Sequence, residues 1–132
     1  MEKYLREAER KMGFPLKLVR EGRVTILIPD PDHFRDSMGH FDPAHAPVFY
    51  NPRMEFSRDL AVIAVKAYLE VFVPRGRTLV EPLSGTGVRG LRYAAEVEGL
   101  ERVLINDVDP SAYDIMLKNV KLNGLEEKVV VY

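Results

Sequence analysis

The chain has no cysteine, no tryptophan and no glutamine, and it has no apolar run long enough to cross a membrane. Without cysteine there can be no disulfide, no thiolate nucleophile and no cysteine-ligated metal. A membrane span needs about 20 consecutive apolar residues, and the first residues are too charged for a secretory signal. We therefore expect a cytoplasmic protein. The missing residue types and the 30% of charged residues are typical of a thermophile.

The charge and size of the chain limit its possible partners and its fold. The net charge of −1 creates no overall field that would draw the chain to nucleic acid or to an anionic membrane. With 132 residues, 46% of them hydrophobic, the chain can bury one core without metals or crosslinks. His33, His40 and His45 share a proline-rich stretch with several aspartates, but their spacing fits no regular metal-ligand motif. We expect no metal site.

The N-terminal part is predicted to be a small helix followed by a hairpin. Helical spacing covers residues 1–12, and two strands over 16–20 and 23–28 are joined at Glu21 and Gly22. After a proline-rich loop, a long helix is expected over 57–73, with Ser57 as its N-cap. Because apolar residues lie on nearly all sides of that helix, we expect it to be mostly buried.

From residue 78 onward strands and helices alternate. Strands are predicted over 78–80, 103–105 and 129–132; one helix starts at Val88 and another at Pro110, capped by Asp109. This order predicts an α/β fold, the first half of a doubly wound, Rossmann-like parallel sheet. Residues 1–56 would form the helix, hairpin and arm, and residues 57–132 a partial cofactor-binding domain.

Half of such a sheet leaves an open edge. Right-handed winding places the three strands in the order third, second, first, so the first strand has no neighbour on one side. An exposed apolar edge invites association. We therefore expect the chain to be a fragment that self-associates or pairs with its missing half.

The turn after the first parallel strand predicts a nucleotide-type cofactor site. Gly85 and Gly87 allow a tight turn that a ligand can approach, and Gly90 lets the next helix lie close to the strand. Asp107 follows the second strand, where a carboxylate can accept hydrogen bonds from ribose hydroxyls.

Two cofactors fit this pattern. The Gly-x-Gly-x-x-Gly spacing satisfies the dinucleotide fingerprint, which would make the chain part of an NAD-dependent oxidoreductase. Four residues separate the strand from the first glycine, however, and Glu81 at the strand tip would repel a pyrophosphate. An acid there suits the sulfonium and ammonium groups of S-adenosyl-L-methionine, which we therefore favour.

Several longer motifs point to one family. They are Phe-Tyr-Asn-Pro at 49–52, Ser-Arg-Asp-Leu at 57–60, Pro-Leu-Ser-Gly-Thr-Gly-Val-Arg-Gly-Leu-Arg-Tyr-Ala at 82–94 and Asn-Asp at 106–107. In these motifs, and in a hairpin that starts near Arg20, the chain resembles the tRNA guanine-26 N2-dimethyltransferases of archaea and eukaryotes. The resemblance spans about residues 19–123.

The resemblance implies a Rossmann-like fold of the class I methyltransferase kind, in an enzyme that binds S-adenosyl-L-methionine and methylates the exocyclic N2 of guanine 26 in tRNA. Arg58 would hold the methionine carboxylate through two parallel hydrogen bonds, unless it forms a surface ion pair with Asp59 or Glu55. Arg89 would be a second cofactor contact, or else an exposed helix arginine. The cofactor-binding residues expected in this way are Arg58, Glu81, Ser84, Gly85, Thr86, Gly87, Arg89 and Asp107.

The chain departs from the family pattern by an absence. The family's catalytic Asp-Pro-Phe-Gly type motif and its C-terminal tRNA-binding domain have no match here. The catalytic residues therefore stay unassigned, and we expect the polypeptide alone to be inactive. A non-catalytic module that completes its sheet with a partner chain is the remaining alternative.

Overall fold

The computed structural model describes residues 1–132. Helix α1, Glu2–Met12, ends where Gly13 adopts a left-handed conformation with φ of 80°. Strands β1, Leu16–Glu21, and β2, Val24–Pro29, then form an antiparallel hairpin in which Glu21 pairs with Val24. Glu21 thus belongs to the strand rather than to the turn, which is formed by Gly22 and Arg23. None of the helices in the structure has the length and apolar character that a membrane span requires.

The parallel sheet has the predicted order. Strands β3, Thr78–Glu81, β4, Arg102–Ile105, and β5, Val129–Val131, lie in the order β3-β4-β5. β3 is therefore an edge strand, and its Val80 side chain is 62% exposed. The predicted half of a doubly wound sheet, with its first strand open on one side, is confirmed.

Two helices connect the parallel strands. Helix α3, Val88–Glu96, follows β3, and helix α4, Pro110–Leu122, follows β4. Asp109 caps α4 by accepting a hydrogen bond from the Ser111 N–H at 2.7 Å, as its position before a proline predicts. The residues of α4 that face the core are Ala112, Ile115, Met116, Asn119 and Val120.

Helix α2, Glu55–Phe72, differs from the prediction at its start and in its burial. Ser57 is not the N-cap. Asn51 instead caps a 3₁₀ turn over Pro52–Met54, which runs directly into the helix. Only Arg58 and Val62 of this helix are buried, because no other element covers its outer face. The large apolar side chains left exposed on it are Phe56, Leu60, Ile63, Tyr68, Val71 and Phe72.

The hairpin packs on the helices and shares a core with the parallel sheet. β2 contacts α3 and α4, and its Val24, Ile26 and Ile28 lie in one buried cluster with Leu91 and Ile105. Leu27 points the other way, into a second cluster beneath α1. Because both faces of β2 are buried, the hairpin is fixed against the helices that carry the glycine turn.

Asn119 of α4 and Asn123, the residue that follows its last turn, also hold the hairpin. Asn119 accepts a hydrogen bond from the Leu27 N–H at 2.7 Å and donates to the Leu27 carbonyl at 3.1 Å. One turn later, Asn123 accepts from the Thr25 N–H at 2.9 Å and donates to the Thr25 carbonyl at 2.7 Å. The two amides therefore bond to β2 as a neighbouring strand would.

Candidate functional site

The turn between β3 and α3 requires glycine. Gly85 and Gly87 have φ of +53° and +78°, the region that side chains disfavour. A Cβ on Gly85 would also lie 2.8 Å from the Phe49 carbonyl oxygen. Gly90 allows close packing of α3 on the sheet, because a Cβ there would overlap the side chain of Ile105. The structure thus gives these glycines the geometry that the sequence predicts.

Two carboxylates brace this turn from the ends of the strands. Asp107 accepts a hydrogen bond from the Gly85 N–H at 2.8 Å through Oδ2. Glu81 accepts one from the Gly90 N–H at 3.0 Å through Oε2. The backbone N–H groups of Val88 and Arg89, two residues that line the neighbouring cavity, make no hydrogen bond within the chain. These groups at the start of α3 can therefore still donate to a ligand.

Ser84 and Thr86 make hydrogen bonds that stabilise the turn itself. The Ser84 hydroxyl donates to the Glu81 carbonyl at 2.8 Å and accepts from the Asn106 N–H at 3.2 Å. Thr86 is fully buried, and its hydroxyl has no hydrogen-bond partner. Its carbonyl accepts from Asn119 at 3.0 Å. At this burial Thr86 supports the turn from inside and does not line the cavity beside it.

A cavity of about 110 Å³ lies between this turn and the arm. Glu81, Ser84 and Arg89 line it from the turn, and Phe49, Tyr50 and Arg58 line it from the arm and the start of α2. It sits at the carboxyl end of β3, where ligands bind in open α/β sheets. A larger cavity of about 680 Å³ lies away from the turn among charged side chains such as Lys66 and Glu96.

Arg58 is buried in an ion pair with Glu21 that the sequence analysis did not anticipate. Arg58 Nε and Nη2 donate to the two oxygens of the Glu21 carboxylate at 2.6 and 2.7 Å. Nη2 also donates to the Asn51 carbonyl at 3.1 Å, while Nη1 makes no hydrogen bond within the chain. The surface ion pair with Asp59 or Glu55 is therefore not formed. Nη1 alone is left for a ligand, so the expected two-bond clamp by Arg58 would require one of its present bonds to break.

Glu21 has further partners. The Tyr50 hydroxyl donates to it at 3.0 Å and Arg92 Nη1 at 3.1 Å, although Glu21 is only 1% exposed. Burial would raise the pKa of the Glu21 carboxyl, but the hydrogen bonds and charge of Arg58, helped by Tyr50 and Arg92, outweigh it and lower that pKa. Glu21 therefore stays ionised inside the protein.

Glu81 and Arg89 face each other at the cavity. Arg89 Nε lies 3.8 Å from Glu81 Oε1, and the Arg89 side chain is 28% exposed, so Arg89 is neither buried nor free on the surface. Burial raises the pKa of the Glu81 carboxyl, more strongly than the Gly90 N–H and the Arg89 charge lower it. A cationic ligand beside Glu81 would stabilise the ionised carboxylate and so offset the cost of its burial.

Asp107 keeps acceptor capacity at the second strand end. Its Oδ1 accepts only from the Asp109 N–H, at 3.1 Å, and its side chain is half-buried. Val108, the next residue, is 92% exposed. This apolar surface was not predicted from the sequence, although a valine between two aspartates of a turn is a usable signal. No three His, Cys, Asp or Glu side chains come together as a metal site would require.

The family comparison agrees with this geometry. Residues 22–132 match the family described as N2,N2-dimethylguanosine tRNA methyltransferase. The chain belongs to this family. The resemblance drawn from the motifs is thereby confirmed, and the dinucleotide oxidoreductase alternative finds no support.

Relatives in the N2,N2-dimethylguanosine tRNA methyltransferase family are considerably longer. The tRNA (guanine(26)-N(2))-dimethyltransferase of Sulfolobus acidocaldarius is 45% identical over 113 residues, which is 85% of this chain and 28% of the relative. The chain therefore spans less than a third of that relative's length.

Solved structures show the same fold. Trm1 from Pyrococcus horikoshii, in complex with S-adenosyl-L-methionine, is 39% identical, with a TM-score of 0.62 over 82% of this chain and 24% of that one. Trm5 of Methanocaldococcus jannaschii, in complex with adenosine, is 19% identical, with a TM-score of 0.61 over 87% of this chain and 28% of that one. At that identity the second likeness concerns the fold alone.

Proposed function

We propose that this chain forms the S-adenosyl-L-methionine-binding part of an enzyme that dimethylates N2 of guanine 26 in tRNA. The observation that carries the proposal is the glycine turn, which Asp107 and Glu81 brace and whose Ser84 and Arg89 line a cavity together with Arg58. Membership in the family and the likeness to a Trm1 solved with S-adenosyl-L-methionine support the choice of cofactor.

The donor and acceptor groups at the turn fit this cofactor. Asp107 has oxygen lone pairs free for ribose hydroxyls, and Val108 offers apolar surface to a base. Glu81 suits the positively charged end of the amino-acid part, and the remaining N–H groups of Arg58 and Arg89 suit its carboxylate. A pyrophosphate would instead meet two carboxylates, Glu81 and Asp107, at the same turn.

The chemistry divides between the cofactor and the protein. S-adenosyl-L-methionine supplies an electrophilic methyl group when bound, and the guanine N2 loses one proton for each methyl it accepts. In this chain, the cofactor is bound and oriented by four side chains: Asp107, Glu81, Arg58 and Arg89. We propose that the transfer itself needs the catalytic Asp-Pro-Phe-Gly type motif, which is not found among residues 1–132.

We further propose that more strands of the same polypeptide continue the sheet at β3 and cover α2. β3 pairs only with β4, and the outer face of α2 carries six exposed large apolar side chains, from Phe56 to Phe72. The relatives are long enough to supply such strands, since this chain matches only 28% of one of them. A polypeptide of residues 1–132 would then associate through these surfaces instead.

Calorimetric titration of the chain with S-adenosylhomocysteine, the demethylated product, tests the cofactor assignment. NAD serves as the parallel ligand. We expect saturable binding of S-adenosylhomocysteine and none of NAD. The Asp107→Ala variant should lose this binding, because it removes both the ribose acceptor and the brace on Gly85.

Asp114→Ala is the matched control, since Asp114 lies on α4 and makes no hydrogen bond or ion pair. This variant should bind as the unaltered chain does. Binding of NAD in place of S-adenosylhomocysteine, or equal affinity in the Asp107 and Asp114 variants, would contradict the proposal.

A further inference from the structure

The buried carboxylate of Glu21 joins the hairpin to the wall of the cavity. Glu21 ends β1, whereas Arg58, which it binds through both oxygens, lies in the first turn of α2 and lines the cavity. The side chains of Glu21 and Arg58 are 1% and 3% exposed. At this burial the paired geometry fixes the guanidinium, because water does not compete for its N–H groups.

Charge balance makes Glu21 the counter-ion of Arg58. The other arginine on Glu21, Arg92, bonds to Asp59 Oδ1 at 2.7 Å and to Glu96 Oε1 at 2.8 Å. Arg92 therefore has two carboxylates of its own. Arg58 has no carboxylate partner except Glu21.

Glu21 also fixes the aromatic wall of the cavity. It accepts the Tyr50 hydroxyl hydrogen bond at 3.0 Å, and the Arg58 guanidinium lies 5.2 Å from the centre of the Tyr50 ring. Arg58 in turn holds the Asn51 carbonyl. The Glu21 carboxylate thus sets the positions of Tyr50 and Arg58, which both line the same cavity.

We propose that Glu21 is a positioning residue for the cofactor: it aims Arg58 Nη1 at the amino-acid carboxylate of the ligand and holds Tyr50 beside it. This inference rests on the proposed function. Glu21 itself touches no ligand and acts through Arg58. Its loss is expected to weaken binding of the amino-acid part of the cofactor and to spare the adenosine part, which Asp107 holds at the other strand end.

Two ligands distinguish binding of the amino-acid part of the cofactor from binding of its adenosine part. S-adenosylhomocysteine carries the amino-acid group, whereas 5′-methylthioadenosine keeps the adenosine and the sulfur and lacks that group. In Glu21→Gln we expect the affinity for S-adenosylhomocysteine to fall about tenfold or more, the size of a lost charge-assisted hydrogen bond. The affinity for 5′-methylthioadenosine should change by less than about twofold.

Glu96→Gln is the matched control, because it makes the same change in a carboxylate that bonds to Arg92 and does not line the cavity. It should lower the melting temperature and leave the affinity ratio of the two ligands unchanged. If Glu21→Gln does not fold, Glu21→Asp keeps the balancing charge but is too short to hold both bonds to Arg58. It should show the same selective loss.

A double-mutant cycle distinguishes positioning from general support. In an Arg58→Gln background, Glu21→Gln or Glu21→Asp should cause no further loss of S-adenosylhomocysteine affinity, because the residue through which Glu21 acts is gone. Equal losses for both ligands, or additive losses in the cycle, would overturn the inference. If the unaltered chain binds neither ligand, the proposed function fails and this inference fails with it.

Discussion

The Oδ2 atom of Asp107 and the backbone nitrogen of Gly85 lie 2.8 Å apart, so the end of β4 holds the turn that follows β3. This contact joins the carboxyl ends of two neighbouring strands, next to Ser84, which lines the cavity. The acid expected to bind a ribose therefore also shapes the turn that would receive the rest of the cofactor.

We predict that Asp107→Asn weakens S-adenosylhomocysteine binding about tenfold while lowering the free energy of unfolding by only about 1 kcal/mol. The amide can still accept from Gly85, but it loses the charge and one acceptor oxygen. Titration calorimetry and urea unfolding measure the two effects. The matched change Asp114→Asn should alter neither, and a loss of stability without loss of binding would contradict the prediction.

Gly90→Ala should destabilise the fold by about 1–3 kcal/mol, the usual cost of overpacking a core. A methyl group at residue 90 would overlap Ile105 and lie 3.0 Å from the Glu81 carboxylate. Gly76→Ala is the control, because nothing lies within 4 Å of a Cβ there and its φ is not positive. Urea unfolding should show a lower midpoint only for Gly90→Ala; equal midpoints would mean that α3 is free to move away from the sheet.

Asn119→Ala should cost more stability than Asn123→Ala, by about 1–3 kcal/mol. Asn119 is fully buried, and its loss leaves the Leu27 N–H and two carbonyls without partners in the interior. Asn123 is half-buried, so water can replace its amide. Thermal unfolding of the two variants decides the order, and a larger loss for Asn123→Ala would refute the reading of α4 as the support of β2.

Acid should remove the contribution of Glu21 to the free energy of unfolding. Its pKa is lowered in the folded state, so this contribution is present above the ordinary glutamate pKa of about 4.3. It is lost as the pH falls through the lowered value. The difference in free energy of unfolding between the unaltered chain and Glu21→Gln should therefore shrink between about pH 7 and about pH 3. A difference that stays constant over that range would show that folding does not lower the pKa of Glu21.

A polypeptide of residues 1–132 should associate at micromolar concentration, and Val80→Lys should reduce this association. Val80 is exposed in the open strand β3, where a lysine discourages pairing with another strand. Analytical ultracentrifugation checks the result, with Lys128→Ala as a comparison, since Lys128 bonds to Ala94 within the chain. If the unsubstituted polypeptide were a monodisperse monomer, this would contradict the proposal that further strands cover β3 and α2.

Local signals in the sequence predicted the elements around the site. The strand before Gly85, the proline start of α4 and the order of the parallel strands all follow from short patterns and from handedness, and the structure has them. The burial of α2 was predicted wrongly, because apolar periodicity shows which residues are suited to burial and does not show whether a neighbour covers them.

The Glu21 network could not be read from local spacing. Glu21 bonds to residues 37 and 71 positions away, and the adjacent glycine made it look like part of a hairpin turn. Asn119 and Asn123 offered a better signal, since they lie four residues apart beside an apolar helix stripe. Polar residues at such positions need partners, although the sequence does not say that the partner is the backbone of β2.

One side chain, Asn119, bonds both to Leu27 in the hairpin and to Thr86 in the glycine turn. A ligand that restricts the motion of the turn is therefore expected also to restrict the motion of the Leu27 N–H in the hairpin. The Leu27 N–H should therefore exchange its hydrogen with deuterated water more slowly when the pocket is filled, although the ligand does not touch Leu27.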